Sequence, residues 1–431
     1  MRRQTTTERT AIGAARATGF GAIGALLLAA LPAAAQDGLS WTRFPGTNYE
    51  TSSTGSTDRD FQKQWEAAPP KGFPTLSPRN LEAMKVAIKR YSDVTDRGGF
   101  PVVPDIQMQQ GLSNPAVAVL RRRLTMSGDL TEGATFSESS YGSGIEKAVK
   151  RFQASNGLTP TGIVDKRTVA ALNVPSAARL RQLKTNSTRL TALARSAAKK
   201  YIVVNIPAAQ IEAVEGDKVI SRHSGVVGKV DRQTPLITSQ IHELNFNPVW
   251  HLPPTVISQD LVPKGRDMQR RNQDVLAKFG IDAYDAAGKK VDTKKINWSA
   301  AGAGGYAFRQ QPGPENPLGF VKINFHNQHS VYMHSTPSET LFGRNFRAAS
   351  SGCVRIAGID QLVTWIMSEQ GWTNERVLKM KSTGERFDAR LKRPIPLYFA
   401  YITAWATEDG VIQFRRDIYN KDGVGPMASA Y

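Results

Sequence analysis

Thiols are almost absent from this chain: Cys353 is the only cysteine in 431 residues. A single thiol excludes an internal disulfide framework and a cysteine-rich metal cage. Acidic side chains are also scarce, 37 Asp and Glu against 56 Lys and Arg, which leaves a net charge of +19. That excess implies attraction to polyanions, although charge alone reads equally well as non-specific solubility. Beyond the first 35 residues no apolar run approaches the about 20 residues that a helix needs to cross a bilayer. What remains, at 40% hydrophobic and 22% charged, is a globular composition long enough for two or three domains.

The first residues say where such a chain works. Arg2, Arg3, Arg9 and Arg16 precede an apolar stretch from Phe20 to Leu31, and Ala33-Ala34-Ala35 follows. Basic, apolar and small-residue segments in that order read as a secretory signal peptide over 1–35; a retained N-terminal anchor is the alternative. Export makes the anionic cell envelope, with its wall-peptide carboxylates, a better partner for the positive charge than nucleic acid. It also makes a lone cysteine unusual, because oxidising compartments favour paired cysteines. Cys353 is then either a small buried apolar residue or a nucleophile. The polar, turn-like setting Ser350-Ser351-Gly352-Cys353-Val354-Arg355 favours the second.

The chain divides into blocks. Residues 36–75 are rich in Ser, Thr, Gly and Pro and read as a flexible lead-in. A helical scaffold segment follows over 76–110, with Leu81, Met84, Ile88 and Tyr91 at helical spacing. Residues 111–176 carry three short helical stripes, with Asp165 placed as the N-cap of the third. Residues 177–200 read as a connecting helix. From Tyr201 the period switches to strands at 202–206, 210–214, 219–222, 240–246, 320–325 and 330–333, with a hairpin turn at Glu215-Gly216-Asp217. This largely β block spans 201–420 and is interrupted over about 254–317. The interruption reads as a charged helix over 259–279, a polar stretch over 284–297 and a flexible glycine-rich run over 300–305. It is either a lid, whose Trp298, Tyr306, Phe308 and Arg309 meet a substrate, or a surface excursion.

A thiol becomes a useful nucleophile only with a base or a positive neighbour. Of the six histidines, His334 closes the strand Val331-Tyr332-Met333-His334, and the loop after it returns to Cys353. That places both groups at one sheet edge. His326 and His329 resemble a metal pair in spacing only, since no carboxylate or cysteine completes a site. No metal and no cofactor are expected.

Two sets of motifs resemble known families. The run Ala148 to Leu158, with Thr161-Gly162-Ile163-Val164-Asp165 and Thr168 to Asn173, resembles the small three-helix peptidoglycan-binding domain, which implies either a wall tether or a spacer. The segment Tyr332-Met333-His334-Ser335-Thr336-Pro337, followed by Ser350 to Arg355, resembles the catalytic signature of the L,D-transpeptidases. Thr234-Pro235, Asn247 to Pro253, Pro317-Leu318-Gly319 and Pro396 to Trp405 extend that likeness. The resemblance implies an α+β multidomain protein: a mostly β L,D-transpeptidase catalytic domain with an inserted lid, plus the three-helix domain. It also implies a periplasmic enzyme associated with the cell wall.

The same resemblance implies a chemistry and its residues. Cys353 is the expected nucleophile and His334 its general base, with Ser335 orienting the imidazole through its backbone carbonyl. The backbone N–H groups of Gly352 and Cys353 are expected to face the oxyanion, and Arg355, Ser350, Tyr332 and Trp250 to bind substrate. The donor would be a peptidoglycan tetrapeptide stem that loses its terminal D-alanine to form a cysteine thioester. A second stem would accept the acyl group in a 3→3 cross-link, and carbapenems would acylate the same thiol. Water as acceptor would make the protein an L,D-carboxypeptidase or endopeptidase, and a silenced site would leave a wall-binding scaffold. The chain departs from the family pattern at Ser351, where a histidine is usual, so the oxyanion pocket is the feature in question. No membrane anchor is expected after signal cleavage.

Overall fold

The computed structural model describes residues 72–131, 138–195, 197–302 and 304–423. The expected signal peptide and nearly all of the 36–75 lead-in lie outside the described residues. Among those residues no helix is long and apolar enough to cross a membrane.

A nine-stranded sheet organises the C-terminal half. Its strands are β1 (Lys200–Asn205), β2 (Gln210–Glu215), β3 (Lys218–Gly228), β4 (Ile237–Phe246), β9 (Val321–Phe325), β10 (Met333–His334), β11 (Ala348–Ser350), β12 (Val354–Ile356) and β13 (Phe387–Ala400). They lie in the order β11-β3-β12-β10-β9-β4-β13-β1-β2, and β2 also pairs with β3, so the sheet closes on itself. The β2–β3 turn is the anticipated Gly216-Asp217, with Gly216 at φ +60°.

β1 is apolar at nearly every position because it is covered on both sides. Ile202 and Val204 face the central core, while Tyr201 and Val203 pack against the helical layer. Helix α9 (Ile359–Met367) seats Ile359, Leu362, Val363 and Ile366 in the central core. At about 1.5–3 kcal/mol for each fully buried aliphatic side chain, this core is what fixes the strands that carry the site.

The N-terminal helices form two groups. α1 (Asn80–Asp96) and α5 (Ser176–Ala194) share a core with β14 (Ala404–Ala406) and β15 (Ile412–Phe414) through Met84, Tyr91, Leu183, Leu190 and Trp405. Between them α2 (Pro115–Ser127), α3 (Ser143–Ser155) and α4 (Lys166–Leu172) enclose a separate core around Leu120, Leu124, Ile145, Phe152 and Leu172. Asp165 caps α4 as its sequence position indicates, accepting from the Thr168 N–H. Arg415 ties this bundle to the sheet through the Ser155 carbonyl at 3.0 Å.

The interruption is more ordered than its composition indicates. A four-stranded sheet, β5 (Trp250–His251), β8 (Ala307–Gln310), β6 (Ile281–Tyr284) and β7 (Lys290–Val291), packs with helices α6 (Val262–Arg270), α7 (Val275–Lys278) and α8 (Trp298–Gly302). The single helix expected over 259–279 is broken. A π turn, Ile257–Leu261, precedes α6, Asn272 takes φ +55°, and Asp274 caps a new helix by accepting from the Leu276 and Ala277 N–H groups. The polar stretch contributes β7. Residues 300–302 are helical, capped by Asn297, which accepts from Ser299 and Ala300. Trp298 and Phe308 do not face a ligand: both are buried and stack at 6.4 Å, forming the insertion's own core with Leu261, Leu276 and Ile281.

Candidate active site

The pleat of two short strands assembles the site. β10 and β12 run parallel, with Met333 opposite Val354 and His334 opposite Arg355. Met333 and Val354 are fully buried in the central core. Alternation along each strand therefore sends Tyr332, His334, Cys353 and Arg355 to the other face. The Val354 N–H donates to the Tyr332 carbonyl at 3.1 Å and extends the pairing to Cys353. Lys322, opposite His334 on β9, joins the same face. This face opens into a cavity of about 300 Å³ lined by Tyr332, His334, Ser350, Cys353 and Arg355, and closed from the insertion by Trp250 and Asp260 among others.

His334 is buried, and its Nδ1 lies 2.5 Å from the Ser335 carbonyl oxygen. Nδ1 must then carry the proton, which leaves the Nε2 lone pair for base chemistry. Ser335 is itself anchored: its hydroxyl donates to the Leu318 carbonyl at 2.9 Å and accepts from the Val321 N–H at 3.1 Å. Gly319, at φ +60°, makes room for that anchor, since a Cβ there would lie 2.4 Å from Ser335 Oγ. Burial lowers the His334 pKa to about 3, and the positive charge of Arg355 adds to it; the Ser335 and Pro317 carbonyls oppose the shift and Lys322 reinforces it. The imidazole is thus neutral at ordinary pH.

The half-buried Cys353 thiol is pushed up by burial. The backbone and hydroxyl of Tyr332 and the charges of Arg355 and Lys322 pull the other way. Thiol and imidazole, which line the same cavity, are thus both neutral at rest. Tyr332 accepts a hydrogen bond from Trp250 Nε1 at 2.8 Å and directs its own proton to the Cys353 sulfur. Burial above all, with the Cys353 charge second, holds that phenol well above its ordinary pKa. Arg355 lines the cavity, and its Nε has no hydrogen-bond partner among the described residues. Burial lowers its pKa too.

The turn before the thiol departs from expectation at one atom. Gly352 sits at φ +116°, but its N–H donates to Ser350 Oγ at 3.1 Å, and Ser350 Oγ donates to the Cys353 carbonyl at 2.6 Å. The Gly352 N–H is therefore occupied rather than turned toward an oxyanion, and Ser350 braces the turn. From below, Thr234 Oγ1 donates to the Gly352 carbonyl at 2.8 Å.

Ser351 is not idle. Arg232 Nη1 donates to its hydroxyl at 2.9 Å and ion-pairs with the buried Asp260 of the insertion at 3.3 Å. This link joins insertion and nucleophile turn, and local motif reading misses it because the partners are far apart in the chain. Lys322 is also missed; its only signal is its polar place in the alternating Val321–Phe325. Of the two loop histidines, His326 stacks on His242 at 4.2 Å and His329 lines the cavity. Among the described residues no cluster of three metal-ligating side chains occurs.

Comparison with known proteins bears on both halves of the chain. Residues 199–384 match the family model described as "L,D-transpeptidase catalytic domain", and residues 113–172 match "Putative peptidoglycan binding domain". A Haemophilus influenzae protein named "Putative L,D-transpeptidase" is 32% identical over 222 residues, which is 51% of this chain and 44% of that one. The match thus spans less than half of that relative's length. Among solved structures, an L,D-transpeptidase from Xylanimonas cellulosilytica overlaps 62% of this chain and 93% of its own at 17% identity, with a TM-score of 0.19. One from Mycobacterium smegmatis overlaps 46% and 58% at 15% identity and a TM-score of 0.22.

Proposed function

Given that the chain carries an L,D-transpeptidase catalytic domain at residues 199–384 and a peptidoglycan-binding domain at residues 113–172, we propose that it forms 3→3 cross-links in peptidoglycan through a thioester on Cys353. The observation that carries this reading is the shared face of Tyr332, His334, Cys353 and Arg355 over one cavity.

The donor is a tetrapeptide stem whose third residue is a meso-diamino acid. His334 Nε2 takes the Cys353 proton as the sulfur attacks the carbonyl between the third residue and the terminal D-alanine. A neutral base beside a raised thiol suits this step, because proton transfer and attack occur together rather than from a standing ion pair. The tetrahedral oxygen is held by the Cys353 N–H and by the Tyr332 hydroxyl, which turns from the sulfur to that oxygen as the sulfur–carbon bond forms, in place of the occupied Gly352 N–H. Gly352 contributes the turn that Ser350 and Thr234 brace.

His334 then returns the proton to the departing D-alanine amine, and the carbon–nitrogen bond breaks to leave the thioester. The side-chain amine of a second stem attacks that thioester. His334 removes the amine's proton and delivers it to the leaving sulfur, which restores the thiol. Ser335 holds the imidazole in the required tautomer throughout. Arg355 faces the substrate with an unmatched positive charge suited to stem carboxylates, and Trp250 fixes the Tyr332 hydroxyl while closing the cavity.

The peptidoglycan-binding domain tethers the enzyme to its polymer, and the enzyme works in the periplasm after signal cleavage, a reading that the basic, apolar and small-residue order of residues 1–35 supports. Incubation with disaccharide-tetrapeptides, analysed by mass spectrometry, tests the reaction class. Dimers that have lost one D-alanine are expected. Trimmed monomers alone would make the enzyme a hydrolase, and unchanged substrate with intact sacculus binding would make it a scaffold.

A further inference from the structure

Cross-linking poses an electrostatic problem that the cavity alone does not solve. Two peptide stems, each carrying carboxylates, must meet at one sulfur, and like charges a few ångströms apart oppose that encounter. Beside the cavity lies a run of polar groups, the cations Arg309 and Lys322 with the neutral imidazole of His251, that carries out no step in the chemistry above. His251 of β5 stands opposite Arg309 of β8, and Arg309 opposite Asp282 of β6, so these residues share one face of the insertion's small sheet. His251 and Arg309 are exposed. The Arg309 guanidinium lies 4.4 Å from the Tyr284 ring centroid.

Lys322 continues the run toward the thiol, with its ammonium 4.6 Å from the Tyr332 ring. Burial lowers the His251 pKa, and the charges of Arg309 and Lys322 lower it further, which joins the three groups electrostatically. The nearby acids are already committed: Asp282 pairs with Lys290 at 2.7 Å and accepts from Gln311 at 2.6 Å, while Glu243 and Asp388, which act on Lys322, pair with Arg390 at 3.4 Å and accept from Asn245 at 2.7 Å respectively. Among the described residues neither Arg309 nor Lys322 has an ion-pair partner.

We propose that Lys322, His251 and Arg309, with Tyr284, form the seat of the acceptor stem, holding its carboxylates while its amine reaches the thioester. The proposal rests on the transpeptidase reading of Cys353. It places the donor in the cavity and the acceptor along the face of the insertion.

Two measurements test it. In the first, the acyl-enzyme is allowed to partition between an acceptor stem and water, and the ratio of dimer to hydrolysed tripeptide is read. Arg309→Gln is expected to lower that ratio about fivefold, the size of one exposed charge contact, while Arg309→Lys keeps most of it. An unchanged ratio in Arg309→Gln, or a fall in dimer matched by an equal fall in D-alanine release, overturns the proposal.

The second is calorimetric titration of the Cys353→Ala protein with a disaccharide-tripeptide, which has no D-alanine to lose. Adding Arg309→Gln should weaken binding about fivefold and flatten its dependence on salt. Unchanged affinity overturns the seat. Should the wild-type enzyme release no D-alanine, the transpeptidase reading fails, and the titration still judges the seat by itself. Arg309 is exposed, so its substitutions leave the fold intact.

Discussion

Replacing Tyr332 by Phe removes one oxygen and its proton from the centre of the proposed oxyanion site. The ring would remain against His334, 5.7 Å away, and under the Lys322 ammonium, so packing changes little. Two things change. The tetrahedral oxygen loses a donor that the Trp250 bond at 2.8 Å holds in place, and Trp250 loses its acceptor. Removing one oxyanion donor costs about 10²–10³ in kcat, or about 2.7–4 kcal/mol of barrier.

The orphaned indole N–H costs about 1–3 kcal/mol of stability, visible as a lower unfolding midpoint. Because the Gly352 N–H is occupied by Ser350, no second donor from that residue compensates. Single-turnover release of D-alanine, followed by mass spectrometry, measures the acylation step directly. The expected result is a fall of about 10²–10³ in rate with KM changed by less than about threefold. A Tyr332→Phe enzyme within threefold of wild type in rate would refute the assignment of the hydroxyl.

Two more outcomes follow from the same geometry. Burial raises the Cys353 thiol, so alkylation by iodoacetamide should climb about tenfold per pH unit from pH 7 to 9, with no plateau at neutral pH; a plateau below pH 7 would indicate a standing thiolate–imidazolium pair and contradict the neutral resting state. Gly319→Ala would drive a Cβ to 2.4 Å from Ser335 Oγ at a φ of +60°. The displaced Ser335 carbonyl should then cost about tenfold or more in kcat, because a base held in the wrong tautomer or orientation fails in proton transfer. A full-rate Gly319→Ala enzyme would show that the Ser335 anchor does not position His334.

The sequence carries most of the local story. Ile202 to Ile206, Gln210 to Val214 and the Gly216 turn are legible because strand propensity and turn chemistry act over a few residues. The placing of Cys353 and His334 on one cavity is legible only from the motif, because the chain between β10 and β12 first runs out to β11 beside β3 before it returns. What escapes is decided by contacts between distant residues. Arg232 meets Ser351 and Asp260 across intervals of 119 and 28 residues, and no periodicity records such a meeting.

Trp298 and Phe308 resemble ligand-facing aromatics until the insertion is seen to need a core of its own. Helix 259–279 resembles a single helix until Asp274 caps a second one. The Gly352 N–H fits an oxyanion role in the motif, but the hydroxyl of Ser350, two residues earlier, claims it. Buried donors are satisfied by whatever acceptor the turn brings closest, and that is a property of three dimensions.

The measurement that bears most directly on the central claim is the intact mass of the mature protein mixed with a disaccharide-tetrapeptide and quenched in acid. A transient adduct on Cys353 equal to the substrate less D-alanine is expected, absent in Cys353→Ala, and it disappears as dimers form when acceptor is added. A protein that releases D-alanine with no adduct on Cys353, or a Cys353→Ala variant that still makes dimers, would contradict that claim.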